Sequence, residues 1–105
     1  MKKMFVLIVL FSFLVMLGMR VVLAEEAGTL RWRFETGSEV NSSPVVSGDT
    51  VYVGSEDGFL YALDKESGDL KWKFQTGSAV NSSPAVSGDT VYVGSEDGYV
   101  YAVQK

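Results

Sequence analysis

The sequence predicts an all-β fold made of antiparallel, four-stranded sheets, and two observations carry this prediction. Residues 31–65 and 71–105 repeat each other with differences at nine of 35 positions, so the pattern has a period of 40 residues. A repeat of this length is typical of supersecondary units that stack on one another. Within each period, short β-branched and aromatic runs alternate with glycine-containing turns, and no apolar spacing of the helical kind follows residue 24.

Each period is expected to form four strands, which we label a to d. In the first complete period they are predicted over residues 44–46, 50–55, 59–64 and 70–76. β-Branched and aromatic residues dominate the middle two strands, and the last alternates apolar with polar residues, as a strand with one apolar face does. Glycines stand where the turns need a positive φ: Gly48, Gly58 and Gly68. The pattern predicts a series of up-and-down hairpins.

The same pattern places a strand d over residues 29–35 and strands a, b and c over residues 84–103. We therefore expect eight strands after residue 24, with repeat units at 31–70 and 71–105. Two strands of each repeat are apolar almost throughout, so their sheet should have both faces covered. Sheets that pack face to face around an axis form a β-propeller. The predicted fold is a partial propeller of two repeats that occupies residues 25–105.

Residues 1–24 are predicted to be a signal peptide. Lys2 and Lys3 precede a long apolar stretch, and Val22 and Ala24 stand at the −3 and −1 positions of a cleavage site. The alternative is an uncleaved N-terminal membrane anchor, because the apolar run approaches the roughly 17 residues that can span a bilayer. In either case we expect an exported protein, in the periplasm, at the cell surface or secreted.

The composition of residues 25–105 excludes several classes of function. Thirteen acidic residues face six basic ones, a net charge of −7, so we expect no nucleic-acid partner. The chain has no cysteine and no histidine. A disulfide framework is therefore excluded, and so are the most frequent metal ligand and the most frequent general base at neutral pH. Membrane contact is expected only through residues 1–24, if they are not cleaved.

The stretch ALDKESGDLKW, from Ala62 to Trp72, resembles the tryptophan-docking motif A-x-D-x-x-[TS]-G-x-x-x-W of β-propellers of the pyrroloquinoline-quinone (PQQ) type. The resemblance extends over about residues 28–105. It implies that Trp72, like Trp32 before it, packs against a neighbouring blade. The turn that receives such a tryptophan would be formed by four residues: Ala62, Asp64, Ser67 and Gly68. The second copy departs from the motif at Gln104, where the aspartate would stand.

The resemblance also implies what an enzyme of this type would contain. Dehydrogenases of the family hold PQQ and a calcium ion at the ring centre, with a catalytic aspartate and often a vicinal cysteine pair, and we cannot map such a site onto this sequence. Other members bind no quinone and act as scaffolds. We therefore predict a non-enzymatic protein-interaction module with no catalytic, cofactor-binding or metal-binding residues. The alternative is a fragment or subunit of a PQQ-dependent quinoprotein dehydrogenase.

Two blades cannot close a ring, since propellers have at least about four. Open blade faces that carry tryptophan and phenylalanine would be apolar patches that favour association. One interpretation is a homo-oligomer of three or four chains, in which the leading strand d of one chain completes the a-b-c sheet of the next. Four chains would give eight blades, the number usual in the PQQ-like family. The other interpretation is a truncated or split piece of a longer propeller gene, with no independent function. The expected partner is the chain itself or another protein.

Two polar motifs have simple structural explanations. The pair Glu56/Asp57, repeated as Glu96/Asp97, suggests a calcium site, but one short turn cannot supply the roughly six to eight oxygen ligands that calcium needs. The NSS triplets at Asn41 and Asn81 have the form of glycosylation acceptors, yet a polar loop ahead of a proline accounts for them equally well. We predict that both motifs are structural.

Overall fold

The computed structural model of the protein describes residues 25–105, and the predicted signal peptide at residues 1–24 lies outside the described residues. The described part contains seven strands: β1 (Val45–Ser47), β2 (Thr50–Gly54), β3 (Phe59–Asp64), β4 (Leu70–Gln75), β5 (Ala85–Ser87), β6 (Thr90–Gly94) and β7 (Val100–Gln104). No helix in this part of the chain is long and apolar enough to cross a membrane.

The strands form two antiparallel sheets, which we call the first and second blades. The first blade has the strand order β1-β2-β3-β4 and the second blade the order β5-β6-β7. Hydrogen-bonded neighbours are also consecutive in the sequence, so each blade is a meander closed by tight turns. The prediction of an all-β, antiparallel fold is confirmed.

The prediction of an eighth strand over residues 29–35 is wrong. These residues form no strand in the structure, although they contact the first blade. A strand is defined by hydrogen bonds to a neighbouring strand, and within residues 25–105 no strand c lies beside this segment. We call residues 29–35 the leading segment. Its aromatic residues, Trp32 and Phe34, pack on a small buried cluster of the first blade: Val53, Tyr61 and Leu63.

The main core lies between the two blades. The rear face of the first blade, which faces the second, consists of Val45, Tyr52, Leu60, Ala62, Trp72 and Phe74. The front face of the second blade, which meets it, consists of Val86, Val91, Val93, Tyr101 and Val103. Strand register explains these sets, since Tyr52, Ala62 and Trp72 are directly paired across three strands and so project to one side. Packing of the two faces excludes water from the core.

The rear face of the second blade has no such cover from the described residues. Its members stand 40 positions after their counterparts in the first blade: Ala85, Tyr92, Val100 and Ala102. Tyr92 is 43% exposed and Val100 is 79% exposed, whereas their counterparts Tyr52 and Leu60 are 2% and 0% exposed. The protein therefore carries the same surface pattern twice, once buried and once open.

The connection between the blades approaches the first blade closely at a glycine. Val80, which lies between β4 and β5, is fully buried, and its Cγ1 atom stands so near Gly54 that a Cβ at this position would overlap it. The Val80 backbone N–H donates to the Ser55 carbonyl oxygen at 2.9 Å. A residue without a Cβ is needed for this approach. At the equivalent Gly94, the nearest atom to such a Cβ is the Ser82 Oγ at 3.4 Å.

Gly54→Ala is expected to lower the free energy of unfolding by about 1–3 kcal/mol, because the added methyl group would overlap Val80 and separate the blades. Gly94→Ala is the matched control at the same position of the repeat. It should stay within about 0.5 kcal/mol of the parent when the protein is highly diluted. Urea unfolding followed by circular dichroism measures both, and equal losses would contradict the importance of the Val80 contact.

Candidate protein-binding face

Trp32 of the leading segment lies on the turn that follows β3. A Cβ on Gly68 would stand 2.6 Å from two carbon atoms of the Trp32 ring, so the ring lies directly against this glycine. The indole N–H donates to the backbone carbonyl oxygen of Lys65 at 2.8 Å. The turn thus holds the tryptophan through one apolar and one polar contact. Gly68 also has a φ of 76°, a backbone conformation that favours glycine.

The carboxylate of Asp64 builds the turn that carries Gly68. It accepts the backbone N–H groups of Glu66 and Ser67, each at 2.9 Å, and the Ser67 hydroxyl at 3.1 Å. The N–H donors favour the charged carboxylate and hold the pKa of Asp64 below its usual value. Because the turn is fixed from within, the Lys65 carbonyl and the bare Cα of Gly68 are presented together to the indole.

The residues named by the docking motif fall into two places. Trp32 and the turn residues just described lie together on the front side of the first blade. Ala62 and Trp72 are instead paired with each other on the rear face, where Ala62 is fully buried. There the Trp72 ring lies 5.8 Å from the Tyr52 ring, in the core between the blades.

A second set of contacts, which the sequence reasoning missed, joins the first blade to the connection ahead of it. The Asp57 carboxylate accepts the Gly37 N–H at 2.9 Å, the Phe59 N–H at 3.0 Å and the Tyr61 hydroxyl. Burial raises the pKa of Asp57, but the hydrogen bonds outweigh burial and hold the pKa below its usual value. Burial, together with the Asp57 carboxylate, raises the pKa of Tyr61 to about 12.

The second blade repeats this arrangement around Asp97. Its carboxylate accepts the Gly77 N–H at 2.8 Å, the Tyr99 N–H at 2.9 Å and the Tyr101 hydroxyl at 2.5 Å. The hydrogen bond between the two side chains lowers the pKa of Asp97 and raises the pKa of Tyr101. The signal in the sequence is an aspartate followed four positions later by a tyrosine, in both copies of the repeat.

The NSS triplets also make contacts within the blades. The Asn41 amide donates to the Glu56 carboxylate at 2.6 Å, and the Asn81 amide donates to the Glu96 carboxylate at 2.8 Å. The Ser42 hydroxyl accepts the Gly54 N–H at 2.7 Å, which attaches the loop ahead of β1 to the end of β2. These polar side chains are therefore engaged in holding loops in place.

The described residues do not fit a calcium–quinone centre. Calcium needs about six to eight converging oxygen ligands. Residues 25–105 hold no group of three or more acidic, histidine or cysteine side chains that could share a metal ion. The carboxylates of Asp57 and Asp97 already accept hydrogen bonds from backbone and tyrosine donors.

On the second blade, the described residues leave the rear face and the outer edge of β7 open for binding. Strand β3 lies between β2 and β4, while β7 has only β6 beside it. Near this edge Tyr99 is 68% exposed, whereas its counterpart Phe59 lies under the Lys73 ammonium, 4.5 Å from the ring centroid. A free strand edge beside an apolar face is a template for an extended segment of another chain. We take this edge and face as the candidate site.

Gly68→Ala is expected to cost about 2–4 kcal/mol of unfolding free energy, because it combines an unfavourable positive φ with a clash against Trp32. Gly48→Ala is the matched control, with a φ of 60° and no atom within 4 Å of the added Cβ. It should lower the free energy of unfolding by only about 1–2 kcal/mol, because alanine is unfavourable at a positive φ. Urea unfolding compares the two variants. Equal costs would show that the indole does not depend on this glycine.

Tyr61→Phe is expected to weaken the dependence of stability on acid pH. The folded state lowers the pKa of Asp57 below the roughly 3.9 of an unfolded aspartate, so this contribution is complete above that value and is lost as the pH falls through the lowered pKa. Removing the Tyr61 hydroxyl removes one of the donors responsible. Thermal unfolding between about pH 2 and 6 measures the effect. Tyr99→Phe, at an exposed ring, is the control, and identical pH profiles for both variants would contradict the assignment.

Comparison with known proteins agrees with this fold. The family model of the outer membrane protein assembly factor BamB matches residues 13–105. The crystal structure of BamB from Moraxella catarrhalis aligns with a TM-score of 0.66 and 23% identity, over 73% of this chain and 24% of that chain. The crystal structure of the computationally designed Ika4 protein aligns with a TM-score of 0.59 and 23% identity, over 66% of this chain and 42% of that one. No curated protein matches the sequence.

The aligned region spans about a quarter of the BamB structure, and at 23% identity this likeness shows the fold. The blades of this chain are therefore β-propeller blades, and the resemblance to PQQ-like repeats is confirmed. Since the family model covers most of the sequence, the chain belongs to the BamB family of PQQ-like β-propeller proteins.

Proposed function

We propose that the protein is an exported, non-catalytic β-propeller module that binds another protein chain through the open face and edge of its second blade. The exposure of Tyr92 and Val100 carries this proposal, because their counterparts in the first blade, Tyr52 and Leu60, are buried. An apolar surface beside a free strand edge favours association over an isolated state.

Several observations support binding in place of catalysis. The sequence offers no histidine or cysteine for acid–base or nucleophilic chemistry. The carboxylates of Asp57 and Asp97 hold loops through hydrogen bonds. The contact between Trp32 and Gly68 is a packing contact, and we propose that its role is to dock the leading segment on the first blade. The family also takes its description from an assembly factor, and a β-surface for another protein is consistent with that description.

Export is supported by the layout of residues 1–24. Two lysines, a long apolar stretch and a small residue at position 24 form the parts of a secretory signal. Because residues 25–105 contain no cysteine, the redox state of the compartment places no requirement on this domain. We propose a periplasmic, secreted or cell-surface location for residues 25–105.

A second copy of the same chain is the proposed partner. BamB from Moraxella catarrhalis aligns over 24% of its length, so four copies of this chain correspond to one protein of that size. Three copies would supply six blades and four would supply eight, both within the usual range of about four to eight. A head-to-tail contact that repeats with a constant rotation closes such copies into a ring.

Export and assembly are tested on the protein produced from its full-length sequence in a bacterial host. We expect mass spectrometry of the exported protein to find Glu25 as the first residue, and light scattering to give the mass of three or four chains. An uncleaved product in the membrane fraction would favour the anchor over the signal peptide. Retention in the cytoplasm would contradict export, and a folded single chain at micromolar concentration would contradict self-association.

A further inference from the structure

We infer that residues 30–40 of a second copy cover the open face: its leading segment pairs with β7 as a fourth strand, and its Val40 fills the space above Gly94. This inference rests on the proposed self-association and specifies its geometry. The interface is an extended strand with a following valine, and the partner is another molecule of this chain.

The junction inside one chain is the template for this contact. Residues 70–80 attach the second blade to the first, because β4 pairs with β3 and Val80 packs over Gly54. Residues 30–40 stand ahead of the first blade in the same way, and they differ from residues 70–80 at only four positions. Each chain therefore carries one such segment that pairs with a strand of the same chain and one, residues 30–40, that packs on the first blade but pairs with no strand.

The internal register gives the register between copies. In the first blade, Ala62 pairs with Trp72, Leu60 with Phe74 and Phe59 with Gln75. The equivalent pairs are Ala102 with Trp32, Val100 with Phe34 and Tyr99 with Glu35, the second member of each coming from the second copy. The two aromatic rings of the leading segment would then cover the exposed rear face, as Trp72 and Phe74 cover the buried one.

Val40 and Gly94 are the counterparts of Val80 and Gly54, and within one chain they do not contact each other. Val80 is fully buried, while Val40 is 49% exposed. A Cβ built on Gly54 meets Val80, but one built on Gly94 meets nothing closer than Ser82 at 3.4 Å, so space remains above Gly94 within one chain. Placing the Val40 of a second copy there would bury its exposed side chain and fill the space above Gly94.

Backbone groups follow the same correspondence. The Thr76 N–H donates to the Gly58 carbonyl oxygen at 2.8 Å and the Val80 N–H donates to the Ser55 carbonyl oxygen at 2.9 Å, so the connection is held by main-chain bonds. The equivalent donors on a second copy are Thr36 and Val40, and the equivalent acceptors are Gly98 and Ser95. Main-chain bonds of this kind provide affinity when a strand is added to an edge.

The charges on the two surfaces are complementary. Within the chain, the Lys71 ammonium lies 2.8 Å from the Asp49 carboxylate, and Lys73 lies over the Phe59 ring. The counterparts are Arg31 with Asp89 and Arg33 with Tyr99, so both cationic contacts are preserved between copies. Arg31 now makes only exposed ion pairs with Glu25 and Glu66, which contribute little and are readily exchanged. A foreign extended peptide would lack this matched set.

Disulfide trapping tests the register, and the chain is suited to it because it has no cysteine. Glu35→Cys and Tyr99→Cys are made in separate full-length chains, and their exported products are mixed in urea, refolded together and oxidised. Directly opposed residues of antiparallel strands have Cα atoms about 4.5–5.5 Å apart, within the range for a disulfide. We expect a covalent dimer of the two variants as the main product on a non-reducing gel.

Glu35→Cys mixed with Val100→Cys is the matched control. Val100 is 79% exposed and adjacent to Tyr99, but consecutive strand residues project to opposite faces. This pair should give at least about tenfold less covalent dimer. Equal yields from the two pairs would overturn the register while leaving self-association intact. If neither pair cross-links, strand completion by a second copy is wrong.

Gly94→Ala provides a second, independent readout. The added methyl group should leave the circular dichroism spectrum of the chain unchanged, since it meets nothing closer than 3.4 Å inside one molecule. It should weaken self-association by at least about tenfold, because it would occupy the space proposed for Val40 of the second copy. Light scattering across a dilution series measures this change. Association equal to that of the parent would contradict the Val40 contact.

Discussion

A single propeller blade cannot bury either of its faces alone, and every other feature of this structure depends on that constraint. Tyr52 and Leu60 are excluded from water because the valines at positions 91 and 93 pack against them from the next blade. Apolar burial contributes about 25 cal/mol per Å². A domain this small, with no disulfide, has little other stabilisation available. Each uncovered face therefore represents stability that a neighbouring blade would supply.

The same constraint explains where the repeat needs glycine. Gly54 and Gly68 lie where a neighbouring element approaches the blade too closely for a Cβ, with Val80 above the first and Trp32 above the second. Gly48 serves only the backbone, since its positive φ closes a turn in open space. The Asp57 carboxylate complements these contacts by holding the Gly37 loop ahead of β1. Close packing between blades thus sets the shape of the loops as well as the core.

Local patterns in the sequence were sufficient to predict the hairpins, because turn glycines and β-branched runs act over a few residues. They misassigned the leading segment, since the alternation of Leu30, Trp32 and Phe34 shows which side is apolar but not whether a neighbouring strand is present. The contact between Val80 and Gly54 was also beyond sequence reasoning. It joins residues from two blades, and nothing in either local sequence indicates the other.

The candidate site could be predicted from the sequence only in part. The repeat identified which residues are equivalent, and the resemblance named Trp32 and the turn at Gly68. Only the structure separates the buried copy of the pattern from the open one, because exposure depends on which neighbour is present. Tyr52 and Tyr92 stand in identical local sequences and differ from 2% to 43% in exposure.

Amide hydrogen exchange in β7 tests the central claim most directly, namely that a second chain completes the second blade. The N–H groups of β7 that point away from β6 should be as protected as the equivalent groups of β3 at high protein concentration, and should lose that protection on dilution. The β3 amides, already paired within the chain, should not respond to dilution. Rapid exchange of the outward-facing β7 amides at every concentration would contradict the account.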